Sequence, residues 1–246
     1  MRLLGIDFES TGLDTATDRI TEVGLALWDC ESQRPLVTIG MFLYDEKTYP
    51  KLPEEVVRIT GITDEMLVEF GTDPTTNLKW LDSFCKEHRV DYLVGHNIAG
   101  FDRPLLFAEL DRLGVAAPSL RTLPWLDTLS DIPFPTQPDS MKLKYLAGDH
   151  GFLMPFAHRA VFDVLTCLQV LSKYDIQQVI AHSQIPTVVV RAVVSFAEKD
   201  LAKAKRFSWE KLGDKTYAKC WVKNIKANVV EQFIKECGFP VVILKE

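Results

Sequence analysis

The first 44 residues limit the fold of this chain more than any other stretch. Residues 2–7, 20–28 and 35–44 are short apolar or alternating runs with brief polar connections. That pattern predicts three successive strands, paired antiparallel because such short connections do not carry a crossover. The periodicity then changes. Residues 53–59 predict a short helix before the turn-like Thr60-Gly61-Ile62-Thr63. Residues 75–88 place Leu78, Leu81, Phe84 and Cys85 at helical spacing. Residues 91–94 read as a strand, and 101–113 as a helix with Pro104 in its first turn and Gly114 as its stop. Residues 124–129 supply a fifth strand, and 141–146 and 160–174 two further helices. A meander followed by alternating helices and strands predicts an α/β fold, a mixed five-stranded sheet flanked by helices.

Residues 176–186, ending in Ile185-Pro186, predict a linker between a domain at 1–175 and a small α+β module at 187–246. The module reads as a strand (187–196), a helical turn or two (198–205), a strand (217–225), a helix (229–237) and a final strand (240–245). With 246 residues, 47% hydrophobic and 25% charged, the chain has enough apolar material for a normal core. No run of about 18 apolar residues predicts a membrane span, so no membrane partner is expected. An acid as early as Asp7 argues against a signal peptide, and the expected location is the cytoplasm. The five cysteines, at 30, 85, 167, 220 and 237, are odd in number and lack a C-x-x-C pair. Free thiols fit better than a zinc site or a disulfide framework.

Charge is unevenly spread. Residues 1–184 hold 16 Lys and Arg against 27 Asp and Glu, whereas 185–246 hold 12 against 7. An acidic body with a basic tail points to a polyanionic partner.

Asp7-Phe8-Glu9 closes the first strand. Residues two apart on a strand face the same side, so both carboxylates project together while Ile6 and Phe8 point the other way. Two acids leaving water side by side repel, and a divalent cation removes that cost. Further along, Gly95-His96-Asn97-Ile98-Ala99-Gly100-Phe101-Asp102 carries a strand into a helix and leaves Asp102 at the helix start. His158 and Asp163 are five residues apart, so they cannot share a face of one continuous helix. They aim at one point if His158 stands on the preceding loop and Asp163 near the helix start.

In this order, Asp7, Glu9, Asp102, His158 and Asp163 resemble the DEDDh branch of the 3′–5′ exonuclease superfamily, the DnaQ-like proteins with a ribonuclease-H-like fold. The resemblance covers roughly residues 1–175 and includes Gly5-Ile6-Asp7-Phe8-Glu9-Ser10-Thr11-Gly12-Leu13-Asp14, Ile59-Thr60-Gly61-Ile62-Thr63 and the H-x-x-x-x-D ending. The pattern departs in one place. Many relatives have two residues between Asn and Phe-Asp, where this chain has Ile98-Ala99-Gly100, a longer form similar to some phage-type proofreading domains of the tyrosine branch. Arg159 stands where that branch would carry its tyrosine.

The resemblance implies a two-metal phosphodiester hydrolase using Mg²⁺ or Mn²⁺. Asp7 would bridge both ions, Glu9 and Asp163 would complete the first, Asp102 would hold the second, and His158 would be the general base. It also implies that Thr11, Gly12 and Leu13 hold the 3′-terminal nucleotide, with Leu13 under the base. Ile62 and Thr63 would close the pocket and Asn97 orient it. The implied substrate is the 3′ end of single-stranded DNA, in replication or repair, with release of nucleoside 5′-monophosphates. RNA trimming is the nearest alternative. A silent nucleic-acid-binding or polymerase-associated module is the alternative of another class.

In the basic tail, Lys203, Lys205, Arg206, Phe207, Trp209, Lys211, Lys215, Tyr217, Lys219, Trp221, Lys223 and Lys226 interleave cations with aromatics. Aromatic faces stack on unpaired bases while cations neutralise phosphates. Tyr217, Lys219, Trp221 and Lys223 lie two apart and predict one strand face, with Trp209 beside it. The plainer reading makes the aromatics a module core with solvated lysines. A second copy of the chain or a replication polymerase is a further candidate partner.

Overall fold

The computed structural model describes residues 1–210 and 219–244. Two compact units are present, Met1–Ser183 and Gln184–Glu246.

In the first unit, strands β1 (Arg2–Ser10), β2 (Ile20–Asp29) and β3 (Arg34–Phe42) form the expected antiparallel meander. Helices α1 (Glu54–Thr60), α2 (Asp64–Phe70) and α3 (Pro74–Glu87) lead into β4 (Tyr92–Gly95). Helices α4 (Asp102–Arg112) and α5 (Pro118–Thr122) lead into β5 (Trp125–Asp127). Helices α6 (Leu143–Asp149), α7 (Ala160–Leu171) and α8 (Ile176–Ser183) complete the unit. The sheet order is β3-β2-β1-β4-β5, with β4 parallel to both β1 and β5. This is the predicted mixed five-stranded sheet flanked by helices.

Periodicity did not signal every element. Helices α2 and α5 span 7 and 5 residues, too short to show a repeat. The predicted linker is mostly helix α8, whose Val179 and Ile180 are buried with Leu168 and Leu171. Apolar residues three and four apart were available there, but the Pro186 boundary drew the division too early. Among the described residues, no helix is long and apolar enough to cross a membrane.

Alternation along β1 decides which face carries the acids. Leu4, Ile6 and Phe8 enter one core with Leu81, Leu93, Leu105 and Leu106. The odd-numbered residues face α7: Leu3 lies in a second core with Val164 and Leu168. A β-carbon at Gly5 would sit 2.7 Å from both Val164 and Leu168. Asp7 and Glu9 continue this row. On the neighbouring strand, a β-carbon at Gly24 would lie 2.2 Å from the Ala160 carbonyl carbon and 2.3 Å from the Val161 nitrogen. The two glycines thus let α7 settle against the sheet closely enough for its first turn to reach the end of β1.

A buried ion pair fastens the other side. Arg19 donates from Nε to both Glu109 oxygens, at 2.9 and 3.0 Å, and from Nη2 at 2.7 Å. Its guanidinium lies 4.5 Å over the Tyr49 ring, and Arg112 also contacts Glu109. This network joins the loop after β1 to α4.

The second unit pairs β6 (Thr187–Ala192), β7 (Ser208–Glu210), β8 (Cys220–Lys226) and β9 (Val241–Leu244) in the order β7-β8-β6-β9. Helices α9 (Lys199–Ala204) and α10 (Val230–Glu236) accompany the sheet. Its core holds Val190, Ala192, Ala202, Phe207, Ile225, Val230 and Cys237. Three-residue β7 was not foreseen.

The glycine seat is testable. Replacing Gly24 with Ala forces a main-chain collision and should destabilise the protein by about 2–3 kcal/mol. A β-carbon at Gly40 meets Val161 at an ordinary 3.8 Å, so Gly40→Ala should change stability by less than about 1 kcal/mol. Urea unfolding midpoints of the two variants check the contrast, and equal midpoints would contradict the seat.

Candidate active site

Four carboxylates from three elements meet at the end of β1. Asp7 and Glu9 project from the strand toward α7, and Asp163 reaches them from that helix's first turn. One oxygen from each of the three lies within 4.8 Å of the others. Among the described residues, this is the group of acids that converges closely enough to share an ion. Asp102, the first residue of α4, is buried, and its Oδ1 accepts the Phe8 amide at 3.0 Å. The β1–β4 pairing ends at Gly5 and Val94, so Asp102 takes an amide that β4 no longer reaches.

Crowding and burial hold protons on these acids. Asp7 is raised well above the ordinary carboxylate range, first by burial and then by Asp102, Asp163, Glu9 and Glu22. Glu9 is pushed up to about 8 by burial, Asp163, Glu22 and Asp102, with Arg159 opposing. Asp102 rises to about 7 by burial, against the Phe8 amide that stabilises its anion. Asp163 rises to about 6 by burial, with the Arg159 and His158 amides opposing. A set of hard oxygen donors with this much unrelieved repulsion fits a divalent cation well. The cationic side chain nearest by charge, Arg159, is bonded instead to Glu22.

His158 is exposed on the loop before α7 with φ 64°, and Arg159 between it and the helix is extended. Thr11 is buried, and its Oγ1 donates to Asp18 Oδ1 at 2.7 Å and accepts the Arg19 amide at 3.0 Å. Its hydroxyl therefore shapes the loop. At Gly12 a β-carbon would lie 2.5 Å from the Asp18 carboxylate. Leu13 stands out of that loop at 88% exposure.

Ile62 departs from its expected place in the pocket wall. Its side chain is wholly buried with Leu52 and Leu67 and is core. Thr63 caps α2, its hydroxyl accepting the Met66 amide at 3.3 Å. Asn97 is exposed in the left-handed region at φ 61°, and its carbonyl accepts the Gly100 and Phe101 amides.

Two acids here escaped sequence reading. Asp127, at the end of β5, is buried and accepts the amides of Asn97 (2.8 Å), Ala99 (3.2 Å) and Leu129 (2.9 Å). It braces the lengthened loop that delivers Asp102. Glu22 is buried in β2 beside the site. The signal for each was an acid next to apolar residues of a strand, Glu22 before Val23 in β2 and Asp127 after Leu126 in β5.

Of the two readings of the basic, aromatic tail, the module-core one holds for Phe207 and Trp221. Trp221 packs against the module core and lies 5.1 Å from the Trp209 ring. Lys223 Nζ donates to the Lys205 carbonyl at 2.8 Å and sits over the Phe233 ring, and burial lowers its pKa. Two-residue spacing placed Trp221 and Lys223 on one face, and that face is the one turned to the core. Trp209 is half exposed and Lys219 exposed. Tyr217 lies outside the described residues.

Residues 4–171 match the family model RNase_T, described as Exonuclease. The chain is similar to DNA polymerase III subunit epsilon of Treponema pallidum, 26% identical over 189 residues that cover 74% of this chain and 83% of the relative. Its fold is similar to that of E. coli exonuclease I, solved in complex with a dA16 oligonucleotide. That match has a TM-score of 0.65 at 15% identity and covers 97% of this chain and 68% of the other. It is also similar to the nuclease domain of 3′hExo, a DEDDh family member bound to rAMP. There the TM-score is 0.59 at 16% identity, over 70% of this chain and 90% of that domain.

The raised carboxyls make stability pH-dependent. Folded protein keeps protons that the unfolded chain gives up near pH 4, so their contribution is complete below about pH 4. It is lost as pH rises through the values near 6, 7 and 8 of Asp163, Asp102 and Glu9. In EDTA the Tm should fall between pH 5 and pH 8.5, and Glu9→Gln should flatten that slope. Mn²⁺ at pH 8 should recover the loss. Superimposable slopes for wild type and Glu9→Gln would contradict the assignment.

Proposed function

The chain belongs to the RNase_T exonuclease family, and on that footing we propose that it removes nucleotides from the 3′ end of single-stranded DNA by metal-assisted hydrolysis. The observation that carries this reading is the convergence of the Asp7, Glu9 and Asp163 oxygens, with Asp102 tied to the intervening Phe8 amide. Asp7, Glu9 and Asp163 would hold one Mg²⁺ or Mn²⁺, and Asp7 and Asp102 a second. Such ions supply charge relief at the phosphate oxygens and lower the pKa of a water molecule.

The chain's own side chains then divide the remaining work. His158 takes the proton of the attacking water on a ring nitrogen, as a positioned histidine commonly does in general base catalysis. Its exposed loop position allows it to approach once a strand occupies the site. The water oxygen bonds to phosphorus as the bond to the 3′ oxygen breaks, which leaves a 3′-hydroxyl on the shortened strand and a nucleoside 5′-monophosphate. Leu13 is placed to lie against the terminal base, with Thr11 and Gly12 fixing the loop beneath it. Thr63 and Asn97 border the same terminal pocket, and Ile62 supports it from the core.

DNA is favoured by the likeness to a structure holding a dA16 oligonucleotide, and the rAMP-bound neighbour favours RNA as the second reading. The polymerase subunit among the relatives supports a role in replication or repair and a polymerase partner. The module 187–246, with half-exposed Trp209 and exposed Lys219, is the part we assign to that partner, a second copy, or the incoming strand.

Matched 5′-labelled DNA and RNA oligomers, with Mg²⁺, Mn²⁺ or EDTA, test the reading. A ladder shortening from the 3′ end and absent in EDTA is expected, with DNA cut faster. Asp7→Asn should lose at least about 10³-fold in rate. His158→Ala should lower kcat by about 10²–10⁴-fold with KM nearly unchanged. Cleavage of a circular single strand would show attack without an end and overturn the reading of release from a 3′ end.

A further inference from the structure

Glu22 lies opposite Glu9 in the β1–β2 ladder and is 2% exposed. A buried carboxylate directly across from Glu9 adds to the crowding of negative charge at the cluster, so its presence needs a compensating role. Its oxygens each accept Arg159 Nε at 3.2 Å, Oε1 accepts Nη2 at 2.9 Å, and Oε2 accepts the Ala160 amide at 3.2 Å. Arg159 in turn donates its own amide to Asp163 Oδ2 at 3.1 Å, and its guanidinium lies 5.5 Å over the Phe42 ring. One carboxylate therefore grips residues 159 and 160, in the short stretch between His158 and Asp163.

Glu9, the cross-strand neighbour of Glu22 in the β1–β2 ladder, is the adjacent carboxylate to which the guanidinium could turn. An arginine bound to Glu9 would occupy oxygens that a cation needs. We propose that Glu22 is a positioning residue that holds Arg159 away from the carboxylate cluster, so that Glu9 and Asp163 stay open to divalent cations. This rests on reading the cluster as a metal-dependent nuclease site.

Changing Glu22 to Gln leaves one acceptor oxygen and points an NH₂ group at donors. The planar fork of Arg159 loses its matching partner and turns to Glu9. Calorimetric titration of the full chain with Mn²⁺ alone, at pH 7.5, measures the consequence without turnover. Glu22→Gln should bind Mn²⁺ about 10-fold more weakly, the range expected for residues behind the metal ligands. The double variant Glu22→Gln/Arg159→Gln removes the competitor and should return to within about twofold of wild type. Wild-type affinity in the single variant, or no recovery in the double, would overturn the proposal.

Should Glu22→Gln fail to fold, Arg159→Lys carries the test. It keeps the charge without the fork, and should weaken Mn²⁺ binding about threefold, whereas unchanged affinity overturns the proposal. A parallel nuclease assay separates the two levels. If Asp7→Asn keeps its rate, the nuclease reading itself fails. If Asp7→Asn is silent and Glu22→Gln binds Mn²⁺ like wild type, the positioning role alone is lost.

Discussion

Repulsion among carboxylates is the force around which the first unit is arranged. Two unit charges 4.8 Å apart repel by about 3 kcal/mol at an effective dielectric near 20, and here four acids meet under partial burial. No such cluster forms by default, so the surrounding fold has to impose it. Gly5 and Gly24 bring α7 against the sheet, the Phe8 amide holds Asp102, and three loop amides hold Asp127. The Arg19–Glu109 pair, fully enclosed, ties α4 to the loop after β1. Each device holds an acid, or the element that carries it, in place against that repulsion, which suits the divalent cation proposed for the cluster.

That arrangement also bears on how an acidic body can receive an anionic strand. Residues 1–184 carry 27 acids against 16 bases, and a bare site of this kind repels phosphate. On the proposed function, cations at the cluster would reverse the local sign, and metal loading and substrate entry would be coupled through charge. Away from the cluster, the excess acid helps keep nucleic acid from lodging at unproductive places on the surface.

How much of this was legible in the chain depended on the range of the interaction involved. The spacing of Asp7 and Glu9 follows from strand geometry alone, and the rise of the meander from local periodicity. His158 on a loop and Asp163 in a helix's first turn follow from five-residue spacing. Glu22 and Asp127 were hidden because their partners, Arg159 and the 97–99 amides, are 137 and about 30 residues away in sequence. Ile62 lay in a motif that pointed to the pocket, while packing with Leu52 and Leu67 placed it in the core. Trp221 and Lys223 showed the same ambiguity on a strand: alternation assigns residues to a shared face and leaves open which face meets the core. Helix α8 was lost to a proline that ends its neighbourhood, although Val179 and Ile180 carry the apolar stripe.

The seat of α7 has a consequence in time. Asp7 leaves the ribosome well ahead of Asp163, with more than 150 residues between the two. Until that late helix docks across Gly5 and Gly24, the acids of β1 lack their third partner. Contacts of such long sequence separation form slowly and cooperatively. A nascent or partly unfolded copy therefore carries the residues of a nuclease without the geometry of one. Docking of that helix is thus the step that completes the acidic cluster.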